Sequence, residues 1–297
     1  MGSEFATASS RMPSRENIIN FGAGPAMLPT PVLEQASKDL LNYHDTGMSL
    51  AEMSHRSSTA SGILKSANAR LRQLLAVPET HEIIWQQGGG AAQFSMVVYN
   101  LVAAYVARGG NVERMTADYL VTGGWSKKAY DEAVRLGVTK VNLVLNTKKD
   151  GGPGKFGGLP PVGEWKWTER KEDVAYVYYC DNETVDGIEF PCALEGMDPN
   201  VPVVCDMSSN ILSRKVDVSK FAVIFVHPQQ PPRLSYPSLS IQAVFTVAVV
   251  IISSSHFFNG LTTNFAGWSA EECRYPRDHD HHRPQRHPDP GRRQNPA

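Results

Sequence analysis

The sequence runs to 297 residues, 41% hydrophobic and 20% charged, the balance of a globular chain with room for about two domains. A formal net charge of −1 and a pI near 6.8 give no electrostatic case for nucleic acid or an anionic membrane. Four cysteines (Cys180, Cys192, Cys205, Cys273) without paired spacing imply neither a disulfide framework nor a zinc site, so the expectation is a reducing, cytoplasmic setting.

Residues 1–13 read as a cloning scar and leader without an apolar signal core. Helical spacing follows at 30–42, after Pro29 and Pro31, and again at 58–75. A short strand at 83–85 leads through Gly88-Gly89-Gly90 into a helix at 91–107. A strand at 119–122 is followed by a helix at 126–136. Residues 141–145, 175–179, 203–205 and 223–225 read as buried strands, and 148–161 as a Gly/Pro-rich surface loop. Strands alternating with helices predict an α/β fold with a mostly parallel sheet covered on both faces, over 14–225. The pattern ends at Phe225. Residues 226–297 hold nine of the 20 prolines, six of the nine histidines and no lysine, and 274–297 carry too little aliphatic surface to offset ordering entropy. Ile241 to Ile252, the most apolar run, is shorter than the ~20 residues of a membrane span.

Four segments before Phe225 converge on one kind of ligand. Gln87-Gly88-Gly89-Gly90-Ala91 joins a strand to a helix, where free N–H groups and the positive dipole end favour a phosphate; a glycine turn used only for packing also fits. Trp125, after Thr122-Gly123-Gly124, can stack on a flat heterocycle or serve as a core tryptophan. Thr184 follows a strand ending in Asp181-Asn182-Glu183 and can bond a ring oxygen or phosphate, or simply shape a turn. Asp206 ends a buried strand, where a carboxylate is costly unless paired; a pyridinium nitrogen is one partner and a helix N-cap role is the other reading. Further upstream, Arg56 suits a carboxylate or phosphate, as it suits a surface.

The segments NFGAGPAMLP, EMSHRSS, LLAVPE, QGGGAAQF, YVYYCDNETVDGIEF, CDMSSN and VDVSKF, in this order from Ile18 to Phe225, resemble the phosphoserine aminotransferase family of class-V aminotransferases. The resemblance implies the large domain of a fold-type-I enzyme dependent on pyridoxal 5'-phosphate, incomplete and without its C-terminal small domain. It implies that Gly90 and Ala91 hold the cofactor phosphate, Trp125 stacks on its ring, Thr184 bonds its ring oxygen, Asp206 pairs with its ring nitrogen, and His55 and Arg56 bind substrate. It further implies a homodimer that moves an amino group from L-glutamate to 3-phosphohydroxypyruvate, giving O-phospho-L-serine and 2-oxoglutarate in serine biosynthesis, with neither metal, nucleic acid nor membrane as partner.

The resemblance breaks after Phe225. The family continues with A-G-A-Q-K-N, whose lysine forms the Schiff base; here the chain reads Val226-His227-Pro228-Gln229-Gln230, and Gln230 stands at the lysine position. Catalytic residues are therefore expected to be lacking. Back-translation offers a cause, because Gly267 to Tyr275 can be encoded so that reading one base later restores A-G-A-Q-K-N. Residues from Val226 to about Ala266 then read as a retained intron and the remainder as an out-of-frame exon, so 226–297 is expected to lie outside the fold. His279, His281, His282 and His287, with Asp278 and Asp280, read as an accident of that frame rather than a metal cluster. Genomic sequencing should find splice signals flanking codons 226 and 266; their absence at those points would end the explanation.

Overall fold

The strand candidates are runs of β-branched and aromatic residues with little polar alternation, the pattern of strands buried on both faces. In the computed structural model, which describes residues 14–19, 27–87, 89–149, 155–227 and 247–253, they assemble as expected. All described residues fall in the first of two units, spanning 1–265. In chain order the main elements are α1 (Thr30–Leu41), α2 (Ser58–Leu74), β1 (His81–Gln87), α3 (Gly90–Ala107), β2 (Thr116–Val121), α4 (Gly124–Leu136), β3 (Lys140–Asn146), β4 (Val174–Cys180), the short β5 (Asn182–Glu183) and β6 (Ile188–Glu189), β7 (Val203–Asp206), β8 (Val223–Val226) and β9 (Val247–Ser253).

Seven strands form one sheet in the order β1-β9-β8-β7-β4-β2-β3, and β5 pairs with β6 separately. The ladders β3–β2–β4–β7–β8 are parallel, and β9 runs antiparallel to both of its neighbours, β1 and β8. All strands except β9 therefore send their carboxyl ends to one side of the large sheet. Local chemistry sets the helix limits. Ser57 accepts a hydrogen bond from the Ala60 amide at 3.1 Å to start α2, and Gly137, at φ 64°, ends α4 in the left-handed conformation that glycine adopts without strain.

α3 is long and apolar enough to cross a membrane by composition, yet here Phe94, Val97, Val98, Leu101 and Tyr105 face the core. Phe94 meets Tyr178 and Phe225 edge-on at ring separations of 6.3 and 6.1 Å, and the buried Tyr119 and Tyr176 hydroxyls satisfy each other at 2.8 Å.

Two expectations need correction. The tail does not stay wholly outside the fold: 247–253 form β9 inside the sheet, with Val250 and Ile251 buried. A continuous β-branched run between two unpaired strand edges satisfies backbone groups that would otherwise stay open, whatever the origin of its codons. A position at the β8 edge expected to lack a strand is thus filled. Second, Cys192 is disulfide-bonded, whereas Cys180 and Cys205 are buried free thiols. Paired spacing does not report such a bond, so it carries no argument about redox setting.

Phe225 is 1% exposed at the junction of α3, β4 and β8. Phe225→Ala should lower the unfolding free energy by about 3–5 kcal/mol; a loss below ~1 kcal/mol in urea titration would contradict this packing.

Candidate functional site

The carboxyl edge of the parallel strands gathers the predicted residues. Gly89 is the N-cap of α3, with no side chain to close the helix start, and its carbonyl takes the amides of Ala92 and Gln93. A helix start leaves the Gly90 and Ala91 amides without intrahelical acceptors. A Cβ on Gly90 would lie 3.6 Å from Phe94 and 4.0 Å from Trp125, so the glycine turn opens beside the indole. Trp125 is half-buried at the start of α4, with the Lys128 ammonium 4.0 Å from its ring centroid.

The N-terminus of α4 is already filled. Glu183, fully buried, accepts from the Trp125 amide at 2.9 Å and from the Ser126 amide at 2.8 Å, and Asp186 accepts from the Gly124 amide at 2.8 Å. A Cβ on Gly123 would come within 2.4 Å of Glu183, which explains why glycine stands there. The half-buried Thr184 lies in the chain between these two anchors, so its loop is fixed to the helix that carries Trp125.

Asp206 ends β7, 7% exposed. Its Oδ1 accepts from the Ser208 amide at 2.9 Å and from the Ser208 hydroxyl at 2.5 Å. Burial pushes its carboxyl up to about 6, against the lowering effect of the Ser208 hydrogen bonds, and Glu183 adds a smaller upward push. The loops behind it are locked together. Asn210 donates to Asp181 at 2.6 Å and to Glu189 at 3.0 Å, Arg214 pairs with Asp181 at 2.5 Å, and Asn182 bonds Ser209 at 2.7 Å.

Past β8, the His227 amide donates to Ser208 Oγ at 2.9 Å, and its Nε2 lies 3.6 Å from where a Gly89 Cβ would stand. Gln86 Oε1, Thr122 Oγ1 and His227 Nε2 are buried at this edge and make no hydrogen bond among the described residues. Unspent polar atoms, open helix amides and a carboxylate short of a cation fit a ligand with a phosphate, a flat face and a basic ring nitrogen. That composition matches pyridoxal 5'-phosphate.

Gly90, Ala91, Trp125 and Thr184 thus occupy a loop and helix starts, and Asp206 a strand end, at one sheet edge. His55 and Arg56 are both exposed ahead of α2, where the Arg56 amide donates to Ser54 Oγ at 3.2 Å. Gln230, the segment 21–26 and the histidine-rich stretch 279–287 lie outside the described residues. Sequence reasoning missed Glu183, Asp186, Ser208 and His227 as site-building residues. The paired glycines 123–124 were the one local signal that something presses on that helix start.

The class-V aminotransferase family profile matches residues 18–228, and the chain belongs to that family. Within it, the chain is 46% identical over 220 residues to the phosphoserine aminotransferase of Saccharomyces cerevisiae and 44% identical over 213 residues to that of Drosophila melanogaster. These matches cover 73% and 72% of this chain but only 54% and 53% of the relatives, so it spans about half the length of the curated proteins it matches. The crystal structure of pyridoxal-phosphate-bound phosphoserine aminotransferase from Trichomonas vaginalis is similar with a TM-score of 0.66 and 37% identity, over 82% of this chain and 63% of that one.

Asp206 yields a signed pH prediction. Its folded value of about 6 exceeds the ordinary 3.8, so the folded chain holds this proton more tightly than the unfolded chain. Stability from this group is complete at low pH and is lost as pH rises through about 6, by about 3 kcal/mol in all. Asp206→Asn removes that loss. The stability of the ligand-free variant relative to the parent should rise by about 2 kcal/mol between about pH 4.5 and pH 8. A difference independent of pH, measured by urea unfolding, would refute the buried-charge account.

Proposed function

We propose that this chain is the cofactor-binding part of a phosphoserine aminotransferase and that, as written, it binds pyridoxal 5'-phosphate without turning substrate over. The buried Asp206 carboxyl, raised to about 6 at the same sheet edge as Trp125 and the open α3 start, carries the reading. When bound, the cofactor supplies an electrophilic carbonyl and an electron-withdrawing ring. The Gly90 and Ala91 amides would hold its phosphate, with the positive end of α3 behind them. Trp125 would lie on its ring face and the Thr184 hydroxyl would bond the ring oxygen. Asp206 would hold a proton at the ring nitrogen, and that cation would return the carboxyl toward its ordinary range.

In the intact family reaction an amino group passes from L-glutamate to 3-phosphohydroxypyruvate, giving O-phospho-L-serine for serine biosynthesis. His55 and Arg56 would bind the acidic groups of substrate. Their exposure ahead of α2 suits a site completed by a second copy in a homodimer. The reading includes a cytoplasmic setting without nucleic-acid or membrane partners.

The chain has no lysine after Lys220. Lys220 ends the turn just ahead of β8, at the amino end of that strand and opposite the edge that carries Asp206, and Lys215 is exposed in the crossover that leads to it. The amide of Gln230 is not basic and captures no carbonyl. Tail sequence from retained intron and shifted exon accounts for this loss, and the product is a binding remnant of the enzyme.

Borohydride reduction with pyridoxal phosphate should leave the parent chain without a site-specific covalent adduct. Gln230→Lys should gain one at position 230, located by peptide mass mapping. In both, Asp206→Asn should weaken cofactor binding roughly tenfold, the equivalent of ~1.4 kcal/mol. A stable adduct on the parent together with amino exchange between phosphoserine and 2-oxoglutarate would overturn the remnant reading. Unchanged binding in Asp206→Asn would overturn the site assignment.

A further inference from the structure

Among the described residues, β1 meets the rest of the sheet only through β9. The two ends of β1 are held differently. At its amino end the buried His81 ring reaches past β9, with Nε2 3.0 Å from the Phe221 carbonyl oxygen just ahead of β8, and the Ser253 amide donates to Ala222 at 2.9 Å. At its carboxyl end no hydrogen bond among the described residues ties β1 or its turn to β8. There Gln87 pairs with Val247, and Val226 of β8 pairs with Val249. His227 Nε2, which makes no hydrogen bond among the described residues, lies 3.6 Å from where a Gly89 Cβ would stand.

This end of β1 launches the glycine turn into α3, and the same end of β8 leads to His227 beside the Asp206 loop. We infer that 247–253 is a positioning element for the candidate site: its backbone sets the height of the Gly89–Ala91 cradle against Asp206. The inference rests on the reading that the cradle and Asp206 hold one ligand. A slip of one residue in the β9 ladder shifts a strand by about 3.3 Å. That exceeds the ~0.5 Å within which a binding constellation must be held.

Val250 pairs with Ile84 and Phe225, and Ile251 with Ile83 and Ile224, so one buried pair of side chains fixes the register on both sides. The element lies outside the residues 18–228 that match the family. The chain therefore draws on residues beyond its family region to hold a family-type site together.

The test uses the full chain and three readouts. Amide hydrogen exchange in the parent should be slowed at least about 100-fold across both 82–86 and 248–252. Val249→Pro, which breaks the ladder at the site end without touching the buried Val250 and Ile251, should release protection in the second half of β1 while β2 and β4 keep theirs. The same variant should bind pyridoxal phosphate about tenfold more weakly yet bind pyridoxal, which lacks the phosphate, as before. Ile251→Val, a conservative change, should keep both protection and phosphate preference. Free exchange at 248–252 in the parent overturns the inference regardless of any cofactor, and so does a Val249→Pro chain with β1 fully protected. Equal weakening toward both ligands overturns the positioning role and leaves a structural one. A parent with no preference for the phosphorylated form sinks the cofactor reading and this site role with it, while the exchange results still report on β9 itself.

Discussion

A carboxylate at the end of a buried parallel strand has little water to solvate its charge, and Asp206 is held there by a serine that donates twice to one of its oxygens. The rest of the edge is organised around that unpaid cost. Two helix starts open onto the same edge and are treated in opposite ways. The start of α4 is closed by Glu183 and Asp186, which use its positive end internally and fix Trp125 against the loop that bears Thr184. The start of α3, capped by a bare glycine, is left for an incoming anion. One edge therefore offers a place for negative charge at α3 and a place for positive charge at Asp206, with an aromatic face between them.

Much of this arrangement could be read from residue order. Periodicity located four helices and six strands of the sheet, because buried parallel strands and amphipathic helices leave strong local patterns. Gly90, Trp125, Thr184 and Asp206 stood out because glycine turns and polar strand ends are local features. What escaped were the long-range partners. Glu183 lies more than fifty residues from the amides that it accepts, and nothing in the residues around it indicates where those amides come to rest. His227 looked like one residue of a broken motif, although its backbone bonds Ser208 and its ring borders Gly89. His55 and Arg56 were nameable only through resemblance, since exposure ahead of α2 carries no chemical signature in this chain.

The tail shows the limit from the other direction. The apolar run within 241–252 was assigned by its supposed origin and therefore set aside. Its hydropathy alone supported a buried strand, and a sheet with two open edges makes no distinction between coding histories. The same tail holds no lysine, so under the proposed reading folding and catalysis part company in this chain. A sheet can be completed by any suitable β-branched segment, but capture of a carbonyl requires one amine at one place.

The central claim is that Asp206 is a buried carboxyl awaiting a cation. The most direct test is a carbon-13 titration of the Asp206 carboxyl in the full chain, with and without pyridoxal phosphate. The account predicts a midpoint of about 6 in the free chain and a fall toward or below the ordinary aspartate range when the ring nitrogen sits beside it. An ordinary midpoint in the free chain, or one that the ligand leaves unmoved, would contradict it.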